Sequence, residues 1–141
     1  MEKDPLSCLP HGPSFRLIDA VVSIIPGEKA VAYRDVKADD PFLRDHFPGN
    51  PVMPGVLLVE AMAQTAGLLL PEGSQALLAR IGEARFRRPV LPGSRVRIEA
   101  VRRGGLGALH RFDATSTVDG VPVAEAEIDL AVVDDRGEGR P

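Results

Sequence analysis

Two side chains stand out as candidates for chemistry because of where they sit. Residues 54 to 70 form a strongly apolar run, and Glu60 and Gln64 are its main polar breaks, with Thr65 the third. Four positions apart on a helix, Glu60 and Gln64 share one face. Burying a carboxylate is costly unless it is paired or neutralised. From the helix alone, Glu60 is either a proton donor or one member of a buried hydrogen-bond network. His46 shifts the balance towards chemistry. It lies in Asp45-His46-Phe47-Pro48-Gly49-Asn50-Pro51-Val52-Met53-Pro54-Gly55, which leads straight into the apolar run. Three prolines and two glycines in eleven residues make a stiff, irregular loop. Histidine is the side chain best suited to take a proton near neutral pH. A lone loop histidine is usually just solvated, but one that feeds a helix carrying a buried acid is a stronger candidate.

The start of that helix supplies a third part. The backbone N–H groups of Gly55 and Val56 have no partner within the helix and carry the positive end of its dipole. A glycine at 55 lets a substrate oxygen approach the backbone, although it also permits tight packing. A base, an acid and an oxyanion site together suit proton abstraction next to a thioester carbonyl.

These parts need a scaffold, and its elements are legible. Pro54 and Gly55 suit the first turn of a helix that runs to about Leu69, before Pro71. Sixteen residues would span about 24 Å. Apolar residues cover nearly every face, as in a buried helix. The remaining signals are strands. Arg16 to Ile25 stops at Pro26-Gly27, and Lys29 to Val36 follows at hairpin distance. Leu77 to Phe86 is a third strand. After Pro92-Gly93, Val96, Ile98 and Ala100 alternate with Arg95, Arg97 and Glu99. Leu109–Val118 and Val121–Val133 form a hairpin around Asp119-Gly120, with Glu125, Glu127 and Asp129 alternating against Ala124, Ala126, Ile128 and Leu130. Period two marks strands with one wet face. The expected architecture is α+β: a single antiparallel sheet wrapped around one long central helix.

The 141 residues suit one domain over 1–141, with about 1–8 and 134–141 flexible. A net charge of −3, five Phe, one Tyr and no Trp argue against nucleic-acid binding, which favours a basic excess or an aromatic platform. Residues 54 to 70 are slightly short for a membrane span and carry Glu60 and Gln64 near the middle, so no membrane role is expected. Cys8 is the one cysteine, so no disulfide forms within the chain, and it has no clear activating partner. No signal peptide is visible after Met1-Glu2-Lys3-Asp4, which makes the cytoplasm the default. The three histidines form no recognisable metal-ligand motif, so no metal is expected.

The chain resembles the FabZ-type 3-hydroxyacyl-acyl-carrier-protein dehydratases. The matching words are Leu9-Pro10-His11, His46-Phe47-Pro48-Gly49-x-Pro51-x-Met53-Pro54-Gly55-Val56, Glu60-Ala61-Met62-Ala63-Gln64, Ala84-Arg85-Phe86, Arg88-Pro89-Val90 and Pro92-Gly93. They spread over residues 9 to 133. The resemblance implies a hot-dog fold, with the sheet as bun and the central helix as filling. It implies a homodimer in which His46 of one subunit works with Glu60 of the other, and family members commonly assemble further as trimers of dimers. By the same resemblance, His46 takes the proton alpha to the thioester carbonyl and the Gly55 N–H, beside that of Val56, holds the carbonyl. Glu60 protonates the leaving hydroxyl, and Gln64 orients Glu60 or its water. The substrate would arrive on the phosphopantetheine of an acyl carrier protein, with no other cofactor. Arg85, Arg87 and Arg88 form a cationic cluster suited to docking an acidic carrier, with Arg102 and Arg103 as a second candidate. A solvated strand edge guarded by charge accounts for these arginines equally well.

The chain departs from the family at Gly12-Pro13-Ser14, where Arg-Tyr-Pro is usual, at Arg16, and in the short connection Pro71 to Ala76. Those regions lie near the family's substrate tunnel, so the resemblance leaves the preferred acyl chain open, and a polyketide-like or polyene pathway stands as an alternative to fatty-acid synthesis. Two other functions share the fold: acyl-thioester hydrolysis, and carrier binding without catalysis. The spacing of His46 and Glu60 argues against the first, and the presence of both acid and base against the second.

Overall fold

A computed structural model describes residues 16–40, 43 and 52–133. His46, Cys8, Leu9-Pro10-His11, Gly12-Pro13-Ser14 and the end segments 1–8 and 134–141 lie outside the described residues. The described chain runs β1 (Ala20–Ile25), β2 (Lys29–Asp35), α1 (Gly55–Gly67), β3 (Gln75–Phe86), β4 (Arg95–Leu106), β5 (Leu109–Val118) and β6 (Val121–Val133). The strands form one six-stranded sheet in the order β1-β2-β4-β5-β6-β3. Each neighbouring pair is antiparallel. The helix packs against β2, β3, β4, β5 and β6. This is the expected α+β arrangement of a sheet around a central helix.

Alternation along the strands explains which face meets the helix. Val96, Ile98 and Ala100 of β4 are buried while Arg95 and Arg97 are exposed. On β6, Ala124, Ala126 and Ile128 are buried and Glu125 and Glu127 point the other way. Register adds a finer feature. Ala30 pairs with Ala100, Ala100 with Ala114, Ala114 with Ala126 and Ala126 with Ala84. Five strands thus line up one-carbon side chains in a single row. Ile98 and Phe112, two residues along β4 and β5 from that row, are fully buried bulky neighbours. A low row between taller ones gives a helix room to approach the sheet, and close packing makes such volume matching count. Between β5 and β6, Asp119 and Gly120 have φ of 51° and 78°, the paired positive values of a type I′ hairpin turn.

Several boundaries differ from expectation: β2 ends at Asp35 rather than Val36, β3 begins at Gln75 rather than Leu77, and three further differences have visible causes or consequences. The helix has 13 residues, about 20 Å, rather than 16. The N–H groups of Leu68, Leu69 and Leu70 donate to the carbonyls of Thr65, Ala66 and Gly67 at 3.1, 3.0 and 3.2 Å. These i→i−3 bonds tighten the chain out of the α-helix before Pro71. Nor is the helix buried on every side, since Val56 in its first turn is 76% exposed. β1 begins at Ala20 rather than Arg16, although Leu17 and Ile18 are buried, because Leu17 spends its N–H on a helix side chain. β4 runs on to Leu106 across a register shift between Arg102 and Gly104.

The outer face carries one buried charge. Asp129 of β6 is 1% exposed. Its cross-strand neighbours are Arg111 on β5 and Arg80 on β3. Arg111 Nε donates to Asp129 Oδ1 at 3.0 Å, and Arg80 Nη1 to Oδ2 at 3.5 Å. The hydrogen bond from Arg111 holds the Asp129 carboxyl below its ordinary value of 3.8, against the burial that would raise it. A carboxyl with a lowered folded value stabilises the protein above its unfolded value, and that contribution is lost as pH falls through the folded one. Asp129→Asn should therefore cost about 1–3 kcal/mol at neutral pH, measured by urea unfolding. The gap to wild type should shrink below about pH 4. Equal stability at neutral pH would contradict this reading of the cluster.

Candidate active site

The site is built on the entry to α1. Pro54 precedes the helix with φ −58° and ψ 136°, an extended conformation, and no side chain caps the N-terminus. Leu57 and Leu58 N–H donate to the Pro54 carbonyl at 3.0 and 3.3 Å. The N–H groups of Gly55 and Val56 come before those bonds and have no acceptor among the described residues. One hydrogen bond at 2.9 Å, from Met53 N–H to the Val90 carbonyl, ties the approach to the helix onto the β3–β4 connection. Between these segments lies a cleft of about 340 Å³, whose walls include Met53, Gly55, Leu58, Phe86, Arg88 and Val90. Orphan N–H groups at the positive end of a helix, beside a cleft, can hold an oxygen that gains negative charge.

Glu60 lies five residues further on, about 7.5 Å along the axis. It is half-buried, one turn beyond the exposed Val56. Gln64 follows one turn later and is 2% exposed. Its two amide atoms are both committed. Gln64 Oε1 accepts from the Leu17 backbone N–H at 2.8 Å, and Gln64 Nε2 donates to Glu60 Oε1 at 3.3 Å. The Leu17 bond fixes which end of the amide faces Glu60, so the carboxylate meets a donor and not a second acceptor. Thr65, the remaining polar residue of the run, donates to the Ala61 carbonyl at 2.9 Å within the helix. It is fully accounted for by helix structure.

The sequence candidates therefore separate into groups. Gly55, Val56, Glu60 and Gln64 stand on one short helix, but of the four only Gly55 lines the cleft, and the Val56 side chain is turned outwards. His46 lies outside the described residues. Of the arginine cluster, Arg85 is paired with Glu83, and Arg87 with Glu125 at 2.5 Å. Arg88 has no acidic partner among the described residues and borders the cleft. In the second arginine pair, Arg103 is held by Asp113 at 2.6 Å. Arg102 Nε donates to His110 Nδ1 at 3.3 Å. Burial first, and the Arg102 charge second, push the His110 imidazole below its ordinary value.

Two parts of the site escape sequence reasoning. One is the Leu17 N–H, a backbone group that no residue type announces. The other is Phe86, whose ring lies against Gly55: a Cβ built there would come within 2.9 Å of Phe86 Cε1. Phe86 belongs to the Ala84-Arg85-Phe86 word, which marked its presence but not its place.

No group of three His, Cys, Asp or Glu among the described residues could hold a metal ion. No helix there is long and apolar enough to cross a membrane. Gln64→Leu keeps the volume but leaves the buried Leu17 N–H without an acceptor. It should lower stability by about 1–3 kcal/mol in a urea titration, and wild-type stability would show that the bond is dispensable.

Known proteins place this arrangement. A family model for the FabA-like domain matches residues 9–127. The 3-hydroxyacyl-[acyl-carrier-protein] dehydratase FabZ of Myxococcus xanthus is 45% identical over 136 residues, covering 92% of this chain and 89% of that protein. The FabZ of Herpetosiphon aurantiacus is 41% identical over 137 residues, covering 94% and 97%. Among solved structures, the dehydratase heterocomplex ApeI:P from Xenorhabdus doucetiae superposes with a TM-score of 0.80 at 17% identity, covering 96% of this chain and 95% of that one. The uncharacterized protein PH1136 from Pyrococcus horikoshii gives 0.72 at 17% identity, covering 87% and 88%. With a hot-dog sheet around a helix that carries Gly55, Glu60 and Gln64, and with this identity along nearly its whole length, the chain belongs to the FabA-like family and, within it, to the FabZ 3-hydroxyacyl-[acyl-carrier-protein] dehydratases.

Proposed function

We propose that this chain carries out the reaction of its family: reversible dehydration of a (3R)-hydroxyacyl thioester, held on an acyl carrier protein, to the trans-2-enoyl thioester and water. The observation that carries the reading is the amide-held Glu60 on a helix whose first residue, Gly55, lines a cleft. His46 takes the proton alpha to the carbonyl. The negative charge moves onto the carbonyl oxygen, which the Gly55 N–H holds. As the charge returns to form the double bond, the β-hydroxyl leaves with a proton from Glu60 and departs as water. Gln64 keeps Glu60 aimed. Fatty-acid synthesis, or a related polyketide or polyene pathway, is the setting in which such carrier-bound substrates arise. Of the three clustered arginines, Arg88 is the first choice for contacting the carrier, because Arg85 and Arg87 are already paired with glutamates.

The proposal includes a second copy of the chain, with His46 of one subunit serving Glu60 of the other. Two features favour it. β3 is an edge strand of twelve residues that exposes Leu77, Leu78, Ile81 and Phe86, and long apolar edges invite pairing. Val56, Glu60 and Gly67 point within about 40° of one another around the helix, and a Cβ at Gly67 would meet nothing within 4 Å. A two-fold pairing of β3 with its mate would place a neighbour beside both surfaces.

One assay tests the reaction class. Purified protein is given 3-hydroxybutyryl and crotonyl carrier protein, and products are followed by mass. Interconversion of the two without free thiol supports dehydration. Thiol release would instead show a thioesterase, and binding without conversion a carrier-binding subunit. His46→Ala and Glu60→Gln should each lower turnover about a hundredfold or more while leaving the fold intact by circular dichroism. Near wild-type turnover in either would sink that residue's role.

A further inference from the structure

We propose that Phe86 is a positioning residue for the thioester end of the substrate, acting as an aromatic wall that holds the carbonyl against the Gly55 N–H; the proposal rests on the dehydratase reading. Phe86 is the last residue of β3. Its ring edge occupies the space a side chain at position 55 would need, with Cε1, Cδ1 and Cζ at 2.9, 3.1 and 3.1 Å from that Cβ. The ring edge is therefore within about 4.5 Å of the Gly55 Cα, one bond further away. The Gly55 nitrogen is one further bond from that Cα, so donor and ring edge border the same corner of the cleft. The ring is 53% exposed, so it is not a core side chain, and it faces the same cleft as Met53, Leu58 and Val90.

The position is held from both sides. Phe86 pairs with Ala124 across the β3–β6 ladder. Immediately after it, the Arg87 N–H donates to the Val123 carbonyl at 2.8 Å. The backbone on which the ring is mounted is thus part of the sheet, while Gly55 is part of the helix. The contact between them joins helix and sheet at the wall of the cleft. An apolar wall beside the N–H does two things. It keeps water from competing for the donor, which strengthens a hydrogen bond to developing charge. It also restricts the carbonyl laterally, and small misplacements of a reacting group are costly in rate. A thioester sulfur has further reason to lie there, because thioether-type sulfur packs well at an aromatic edge.

The test uses Phe86→Ala and Phe86→Leu in the full chain, with crotonyl pantetheine hydration as the kinetic probe. A second probe is the butyryl pantetheine analogue with an amide in place of the thioester, titrated while the Gly55 amide resonance is followed by NMR. For Phe86→Ala the expected result is a kcat at least about tenfold lower with KM changed less than about threefold, since the loss falls on the transition state. Phe86→Leu, which keeps the apolar wall but not the ring, should fall between. The Gly55 resonance should shift with the analogue in wild type and need at least about fivefold more analogue in Phe86→Ala, in line with lost positioning. A kcat within twofold of wild type, a loss confined to KM, or a Gly55 titration unchanged by the substitution would overturn the proposal. If wild type converts no thioester, the dehydratase reading fails by itself. The Gly55 titration then still decides the role of Phe86, and absence of any wild-type shift counts against it.

Discussion

One side-chain amide connects the proposed chemistry of this protein to its fold. Gln64 is buried, and a buried primary amide must place both of its ends. One end receives the Leu17 N–H, which comes from the segment leading into β1, and the other reaches Glu60. The first bond is a fold contact, forty-seven residues apart in sequence. The second aims the carboxylate. The first bond reinforces the orientation in which Glu60 meets the donor end of the amide. The early end of β1 follows from the same bond, because a backbone donor given to the helix cannot also serve a strand ladder.

The rest of the molecule puts that amide in place. A row of alanines from Ala30 to Ala84 lowers the sheet where the helix crosses it. The helix is then fixed in depth by packing and in register by Gln64. Its N-terminus stops at the β3–β4 connection, held by Met53 to Val90, so Gly55, whose N–H has no acceptor among the described residues, borders a cleft. On the far side of the sheet the strands are laced by Arg–carboxylate pairs around Asp129, which keeps β3, β5 and β6 in register under the helix. The proposed chemistry needs rigidity at these points, because base, acid and oxyanion donor must converge on one small group.

How much of this was readable beforehand varies with the physics involved. The sheet strands were legible because period-two alternation is a local signal: Val96, Ile98 and Ala100 announce β4, and Asp119-Gly120 announces its turn. The helix was legible in kind but not in length. Apolar composition continues through Leu68, Leu69 and Leu70, while the hydrogen bonds tighten to i→i−3 before Pro71, and composition does not report that change. Glu60 and Gln64 were visible as polar breaks in an apolar run. Their partner was not, because it is a backbone N–H supplied by tertiary packing. The arginine cluster read as uniform charge, yet Arg85 is paired with Glu83, two residues back on the same face of β3, and Arg87 with Glu125, which only strand pairing brings near. Phe86 was part of a recognised word without a place in the reasoning, since its contact with Gly55 joins two elements distant in sequence.

The central claim is that the proposed acid and base come from two copies of one chain, and mixing inactive variants tests it most directly. His46→Ala and Glu60→Gln chains are unfolded together, refolded as a mixture and assayed with crotonyl carrier protein. In a two-fold dimer with shared sites, each mixed dimer has one intact site and one doubly damaged one. With random pairing, activity should then return to about a quarter of wild type. A mixture as inactive as either variant alone, with mixed dimers confirmed by mass, would place acid and base in the same chain and contradict the account.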